Sequence, residues 1–149
     1  MLEDSHSLRA QGVLDHVCLA VRRIAPAGGL IQRILGYDPR TSVVANSRQM
    51  VNVQFYSKVG SIDIKLIEPT SPKSPLNDFL RRRGPGLHHL GFLAPSVVSA
   101  NRELRNAGIK VLAGPEPGEA FDDESILFAY LNCGLNLEII DTPARRGLL

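Results

Sequence analysis

Four ionisable side chains stand in two matched pairs along this chain of 149 residues. His16 and His89 are 73 positions apart, and so are Lys65 and Glu138. Two imidazoles, an amine and a carboxylate can move a proton, with the carboxylate or an imidazole as base. The ammonium and the imidazoles can hold an oxyanion that develops beside it. Imidazole and carboxylate are also ligands for divalent cations. Each of the four lies in an apolar segment of strand type. An ionisable group buried there costs several kcal/mol unless it is paired or coordinated. The placement therefore asks for a reason.

The segments that carry them are repeated. Leu14-Asp15-His16-Val17-Cys18-Leu19 aligns with Leu87-His88-His89-Leu90-Gly91-Phe92, and Asp63-Ile64-Lys65-Leu66-Ile67-Glu68 with Asn136-Leu137-Glu138-Ile139-Ile140-Asp141. Strand alternation puts His16 with Leu14 and Cys18, Lys65 with Asp63 and Ile67, His89 with Leu87 and Gly91, and Glu138 with Asn136 and Ile140. The opposite faces are apolar (Ile62, Ile64, Leu66; Leu135, Leu137, Ile139) and are expected to pack on helices. Two copies exclude a stacked solenoid, which needs about three or more units. A pair of units around a shared concave face is expected instead.

Each half reads as β-α-β-β-β. In the first, a strand over 13–21 precedes a helix opened by Pro26 that runs to about Leu35. Leu30, Ile31, Ile34 and Leu35 are its apolar positions, Gly36 stops it, and Gly28 and Gly29 weaken its first turn. Strands are expected over 41–45 (weakly marked), 50–56 and 61–68. In the second half the strand over 87–93 leads to a helix over 97–107, capped by Ser96 and ended by Gly108. Strands follow at 109–112, 125–131 and 135–141, with a loop over 114–123. The modules span about 13–69 and 87–141 of a single domain covering 1–149, with a linker and short helix over 70–86. Residues 1–12 read as a mobile lead-in containing a solvated His6, and the tail from Thr142 as polar.

Bulk composition narrows the partners. The net charge of +2 and 21% charged residues do not argue for nucleic acid. No stretch approaches the roughly 18 apolar residues of a membrane helix, and the start of the chain has no signal-peptide core. Cys18 and Cys133 lack metal or redox spacing, so a reduced, cytoplasmic chain is expected. Single features also have plainer readings. A lone strand histidine is usually structural, Lys65 can snorkel from a strand edge, and His88 points to the other face as a structural or solvent-facing residue. Arg81-Arg82-Arg83 suits a solvated helix C-terminus or the phosphates of a bulky substrate.

The segments around 14–21, Leu66-Ile67-Glu68-Pro69-Thr70-Ser71-Pro72 with Ser74-Pro75-Leu76, Gly86-Leu87-His88-His89-Leu90 and Leu137-Glu138-Ile139 resemble the vicinal oxygen chelate superfamily. That superfamily holds the glyoxalases, bleomycin-resistance proteins and extradiol dioxygenases, and the resemblance is greatest to methylmalonyl-CoA epimerases. It implies an α+β fold of two paired βαβββ modules forming an open, cupped sheet. It also implies a divalent metal held by one residue from each of four strands, here His16, the residue at 65, His89 and Glu138. In the epimerases the second of these is Gln or Glu. Here it is Lys65, whose ammonium donates three hydrogen bonds and has no lone pair for a metal.

No tightly bound metal is therefore expected, and if one is held its ligands are His16, His89 and Glu138. Lys65, Glu138, His16 and His89 are the expected catalytic residues, and Gln54 and Tyr56 the expected substrate-binding residues. Three functions remain open. The first is an epimerase or isomerase moving a proton next to the carbonyl of an acyl or thioester substrate. The second is a metal-free cyclase or isomerase of a specialised pathway, and the third a small-molecule binding or resistance protein. An enzyme is preferred, because a binder has no need of four converging ionisable groups and only 5% of the residues are aromatic. The expected partners are a small-molecule substrate and a second copy of the chain, with neither nucleic acid nor membrane.

Overall fold

The computed structural model describes residues 7–149. The fold is α+β, with a mixed, open sheet and few helices. The chain forms two compact units, neither of which is one continuous segment. One, the His16 unit, takes 16–88 and 145–149; the other, the His89 unit, takes 89–144 and, among the described residues, 7–15.

In the His16 unit, β1 (Val13–Ala20) enters at His16 and leads to α2 (Ile24–Leu30), which continues as a π-helical turn over Ile31–Leu35. Then come β2 (Asp38–Pro39), β3 (Val44–Asn46), β4 (Val51–Ser57), β5 (Asp63–Pro69) and α3 (Leu76–Arg83). The strand order is β2-β4-β5-β1, with β3 also on β4. β5 runs parallel to β1 and antiparallel to β4.

The His89 unit has the same connectivity. β6 (Gly86–Leu93) is followed by α4 (Val97–Asn106), β7 (Lys110–Gly118), a 3-10 turn at Glu119–Phe121, β8 (Glu124–Leu131) and β9 (Leu135–Ile140). Its order is β6-β9-β8-β7, with β9 parallel to β6 and antiparallel to β8. Even the registers repeat. Cys18 faces Lys65 and Gly91 faces Glu138; Phe55 faces Lys65 and Phe128 faces Glu138. Every one of these residues has its counterpart 73 positions away. The repeat thus extends from sequence to hydrogen-bond ladder.

One face of each sheet packs on its helix. Val21, Ile24, Ile31, Tyr56 and Leu66 form that core in the His16 unit. Ala94, Val97, Ala100, Leu104, Leu127, Ala129, Leu137 and Ile139 form it in the His89 unit. This leaves the alternate residues, including all four of the matched ionisable ones, on the other face of their own sheet.

Several expectations need revision. The buried face of α2 is Ile24, Gly28 and Ile31, at i, i+4 and i+7, while Leu30, Ile34 and Leu35 are exposed. Gly28 is there for closeness: a Cβ on it would stand 1.9 Å from the Tyr56 hydroxyl. The expected strand over 41–45 is two short strands on β4, with Thr41 bridging Leu148 between them. β7 continues into the expected loop as far as Gly118, where the 3-10 turn takes over. Register shifts at Val111–Ala113 and Ala113–Glu116 accommodate Pro115 and the left-handed Gly114 at the sheet edge.

The lead-in holds a short helix, α1 (Leu8–Gln11), capped by the Ser7 hydroxyl. Its Leu8 and Arg9 N–H groups both donate to Glu103 at 3.0 Å. His6 lies outside the described residues. No helix among the described residues is long and apolar enough to cross a membrane.

Candidate functional site

In the His16 unit the face away from α2 gathers His16 and Cys18 on β1, Asp63 and Lys65 on β5, and Phe55 on β4. All five are buried, Lys65 to 3% exposure. The His16 ring meets the Phe55 ring edge-on at 5.5 Å between centroids, and the Lys65 ammonium stands 5.8 Å from that ring. Phe55 is fixed by its backbone: its N–H donates to the buried Thr41 hydroxyl at 3.1 Å, which itself donates to the Ser42 carbonyl. Arg40 donates to the Asp63 carboxylate at 2.7 Å.

A residue the sequence did not single out completes this face. Arg145, from the tail read as polar, is only 3% exposed. Its guanidinium lies 4.3 Å from the Phe55 centroid and 3.7 Å from Asp63 Oδ2. No periodicity marks so short a segment. The one local signal is a basic pair, Arg145-Arg146, two residues from an apolar end.

In the His89 unit the corresponding face carries His89, Glu138 and Phe128. His89 and Glu138 are both buried, with Nε2 3.3 Å from Oε1. The His89 ring meets Phe128 edge-on at 5.6 Å. Each unit therefore sets an imidazole against the edge or face of a phenylalanine, at positions related by the same offset of 73.

The remaining expected residues fall elsewhere. Gln54 and Tyr56 lie on the helix-packed face of β4, away from Phe55, because side chains alternate along the strand. Tyr56 donates to Gln54 Oε1 at 2.9 Å, and Gln54 donates to the Thr41 carbonyl at 2.9 Å. Burial pushes the Tyr56 phenol up, so it serves as a neutral donor. His88 is half-buried and packs edge-on against Phe79 of α3 at 4.9 Å. Arg81 pairs with Asp78 one turn back, and Arg83 lies over Phe79. Cys18 is buried, Cys133 exposed, and neither forms a disulfide.

The site chemistry bears directly on a metal. His16, His89 and Glu138 are ligand types that a divalent cation accepts. The fourth position of the implied set is Lys65, whose side chain is buried on the same face as His16. An ammonium supplies no lone pair there and adds positive charge. The complete four-ligand set does not fit.

The family model of the glyoxalase/bleomycin resistance protein/dioxygenase superfamily matches residues 15–128. The chain belongs to this superfamily. Among its relatives, an uncharacterized protein, YqjC, of Bacillus subtilis (strain 168) is 39% identical over 99 residues, covering 66% of this chain and 69% of the relative. An ethylmalonyl-CoA/methylmalonyl-CoA epimerase of Cereibacter sphaeroides is 24% identical over 120 residues, covering 80% and 88%. The crystal structure of methylmalonyl-CoA epimerase from Mycobacterium tuberculosis superposes with a TM-score of 0.78 at 26% identity, covering 87% of this chain and 88% of that one. The superfamily membership and the likeness to methylmalonyl-CoA epimerases both agree with what the repeated histidine segments imply.

Proposed function

We propose that this protein is an isomerase that moves a proton on the carbon next to the carbonyl of an acyl thioester. The observation that carries the reading is the buried Glu138 carboxylate 3.3 Å from the His89 imidazole. It stands at the repeat position matched by Lys65 in the other unit. A carboxylate and an ammonium are the two groups such a reaction needs. Glu138 takes the proton from the carbon, the electron pair moves onto the thioester oxygen, and a cation holds that oxygen. Lys65 and His16 serve as that cation and hydrogen-bond donor. Delivery of a proton to the opposite face completes the inversion; in this reading His89 gives that proton and recovers one from Glu138.

Two relatives support the substrate class, since both are named for methylmalonyl-CoA epimerase activity. No step in this scheme runs through a metal. In this reading residues 1–149 work as one domain in the cytoplasm, and the protein acts as a homodimer. Leu30 and Ile34, 53% and 69% exposed and one turn apart, offer apolar surface for such pairing. A dimer mass in light scattering at micromolar concentration checks it.

The activity test is solvent exchange. Methylmalonyl-CoA incubated in deuterium oxide with the wild type gains deuterium at the α-carbon. Glu138→Gln loses at least about 100-fold in exchange rate while its affinity stays within about tenfold. Tight binding with no exchange by the wild type replaces this reading with that of a binding protein.

A further inference from the structure

The edge strand of the His16 unit is interrupted opposite one short stretch. Pro39 pairs with Tyr56 and Val44 with Val53, so the four residues 40–43 face only Gln54 and Phe55. The His89 unit repeats the interruption at the matching place. Val111 pairs with Ala129 and Glu116 with Ile126, so the four residues 112–115 face only Leu127 and Phe128. Tyr56 and Val53 lie 73 positions before Ala129 and Ile126. Each break thus brackets the phenylalanine whose ring meets the histidine of its unit, at 5.5 Å for His16 and 5.6 Å for His89. Extra residues in one strand of a pair bend the ladder, and next to active sites they re-aim a side chain.

In the His16 unit one side chain ties the break to Phe55. Thr41 is fully buried. Its hydroxyl donates to the Ser42 carbonyl at 2.8 Å, which commits its proton and leaves a lone pair for the Phe55 N–H at 3.1 Å. The Phe55 carbonyl accepts the Arg40 N–H at 2.8 Å. Both backbone groups of Phe55 are therefore met inside the break, one of them by a hydroxyl in place of a strand carbonyl. Thr41 is itself held: its carbonyl accepts the Gln54 amide at 2.9 Å, and it bridges Leu148 of the tail. The matching position in the His89 unit is Gly114, where a Cβ would stand 2.4 Å from the Ile126 carbonyl oxygen, so no side chain fits. The hydroxyl is particular to the unit that carries Lys65.

We propose that Thr41 is a positioning residue, whose hydroxyl sets Phe55 so that its ring holds the His16 imidazole and the Lys65 ammonium in place for the reaction. The ammonium stands 5.8 Å from the ring centroid, within the roughly 6 Å over which a ring attracts a cation. This rests on the thioester reading above, in which Lys65 and His16 hold the developing oxyanion, and adds the residue behind them. Thr41 acts through Phe55 and does not meet the reacting atoms. A displacement of about 1 Å costs up to about 100-fold in rate, so the effect belongs in kcat rather than KM.

Solvent exchange into methylmalonyl-CoA, assayed well below the melting temperature of every variant, tests this. Thr41→Val keeps the shape and removes the acceptor. It is expected to lower kcat at least about tenfold with KM within about threefold. Thr41→Ser keeps the hydroxyl and is expected to hold kcat within about threefold of wild type. Should Thr41→Val not fold, Thr41→Cys, whose thiol is a weak acceptor, takes its place and is expected at least about threefold below Thr41→Ser.

Phe55→Leu separates positioning from plain structure. That variant keeps the N–H that Thr41 accepts, so Thr41→Val leaves the same orphaned donor and lowers the melting temperature in either background. Only the ring is gone. The kcat loss from Thr41→Val is expected to shrink to within about twofold in the Phe55→Leu background. A loss that persists in full there, a Thr41→Val kcat within about twofold of wild type, or a Thr41→Ser kcat as low as that of Thr41→Val overturns the proposal and leaves the thioester reading standing. No exchange by wild type overturns both.

Discussion

The Glu68 carboxylate accepts the N–H of Ile24 at 2.8 Å, so the last strand of the His16 unit holds the first residue of its helix. Asp141 does the same for Val97 at 2.9 Å, 73 positions further on. A carboxylate at a helix N-terminus satisfies an orphan donor and meets the positive end of the macrodipole. Glu68→Ala and Asp141→Ala should each cost about 1–2 kcal/mol of stability. Urea titrations with unchanged slope would show it. A loss below about 0.3 kcal/mol in both would mean that these contacts contribute nothing of the kind.

Adjacent glycines in α2 should behave oppositely. A Cβ at Gly28 collides with the Tyr56 hydroxyl, whereas a Cβ at Gly29 meets nothing within 4 Å. Gly28→Ala is expected to destabilise by about 1–3 kcal/mol through overpacking. Gly29→Ala is expected to stabilise by about 0.5–1 kcal/mol through helix propensity. Thermal melts of the two variants should move in opposite directions.

Tyr56 gives a pH dependence with a definite sign. Burial raises its pKa in the folded protein above the ordinary value of 10.0. The unfolded chain therefore loses this proton first as pH rises. The contribution is complete below pH 10 and is lost progressively above it, toward the raised folded value. Tyr56→Phe removes this component while leaving the ring in the core. The stability difference between wild type and variant should be constant from pH 6 to 9 and shrink above pH 10. A difference that stays constant across pH 10 would contradict the assignment.

Lys65 should keep divalent metals weakly held. A unit positive charge about 4 Å from a divalent ion is repelled by roughly 8 kcal/mol at an effective dielectric near 20. Purified wild type is expected to carry well under one equivalent of metal. Lys65→Glu removes the ammonium and adds an oxygen ligand, so it should bind Co²⁺ or Mn²⁺ at least about tenfold more tightly. Stoichiometric metal in the wild type by elemental analysis would reverse this account and move metal-assisted chemistry to the front.

The strands bearing the four ionisable residues were legible because each kept clean alternation and was written twice. So was α4, whose Ser96 accepts the Ser99 N–H as a cap. The face of α2 was misread because Gly28 looks like a weak point until Tyr56 is placed over it. Hydrophobicity alone favoured Leu30, Ile34 and Leu35, which are exposed. Gln54 and Tyr56, expected to bind substrate, lie on the helix-packed face of β4. Strand alternation alone does not tell which face of β4 meets the helix, and their hydroxyl-to-amide pair lets these polar residues lie under it. Arg145 was invisible because its environment comes from Asp63 and Phe55, 82 and 90 positions away.

The exchanged ends have a consequence for how the chain is made. Leu8 waits on Glu103 for its partner, and Asp63 and Phe55 wait on Arg145. Synthesis runs from the N-terminus at about 5–20 residues per second. The strands of the first half thus emerge several seconds before the guanidinium that completes their polar face. A nascent chain that has reached residue 88 holds every strand of the His16 unit but not its arginine. Chains stalled on the ribosome before residue 145 should therefore be folded in part, with Phe55 and Asp63 more open to solvent than in the finished protein.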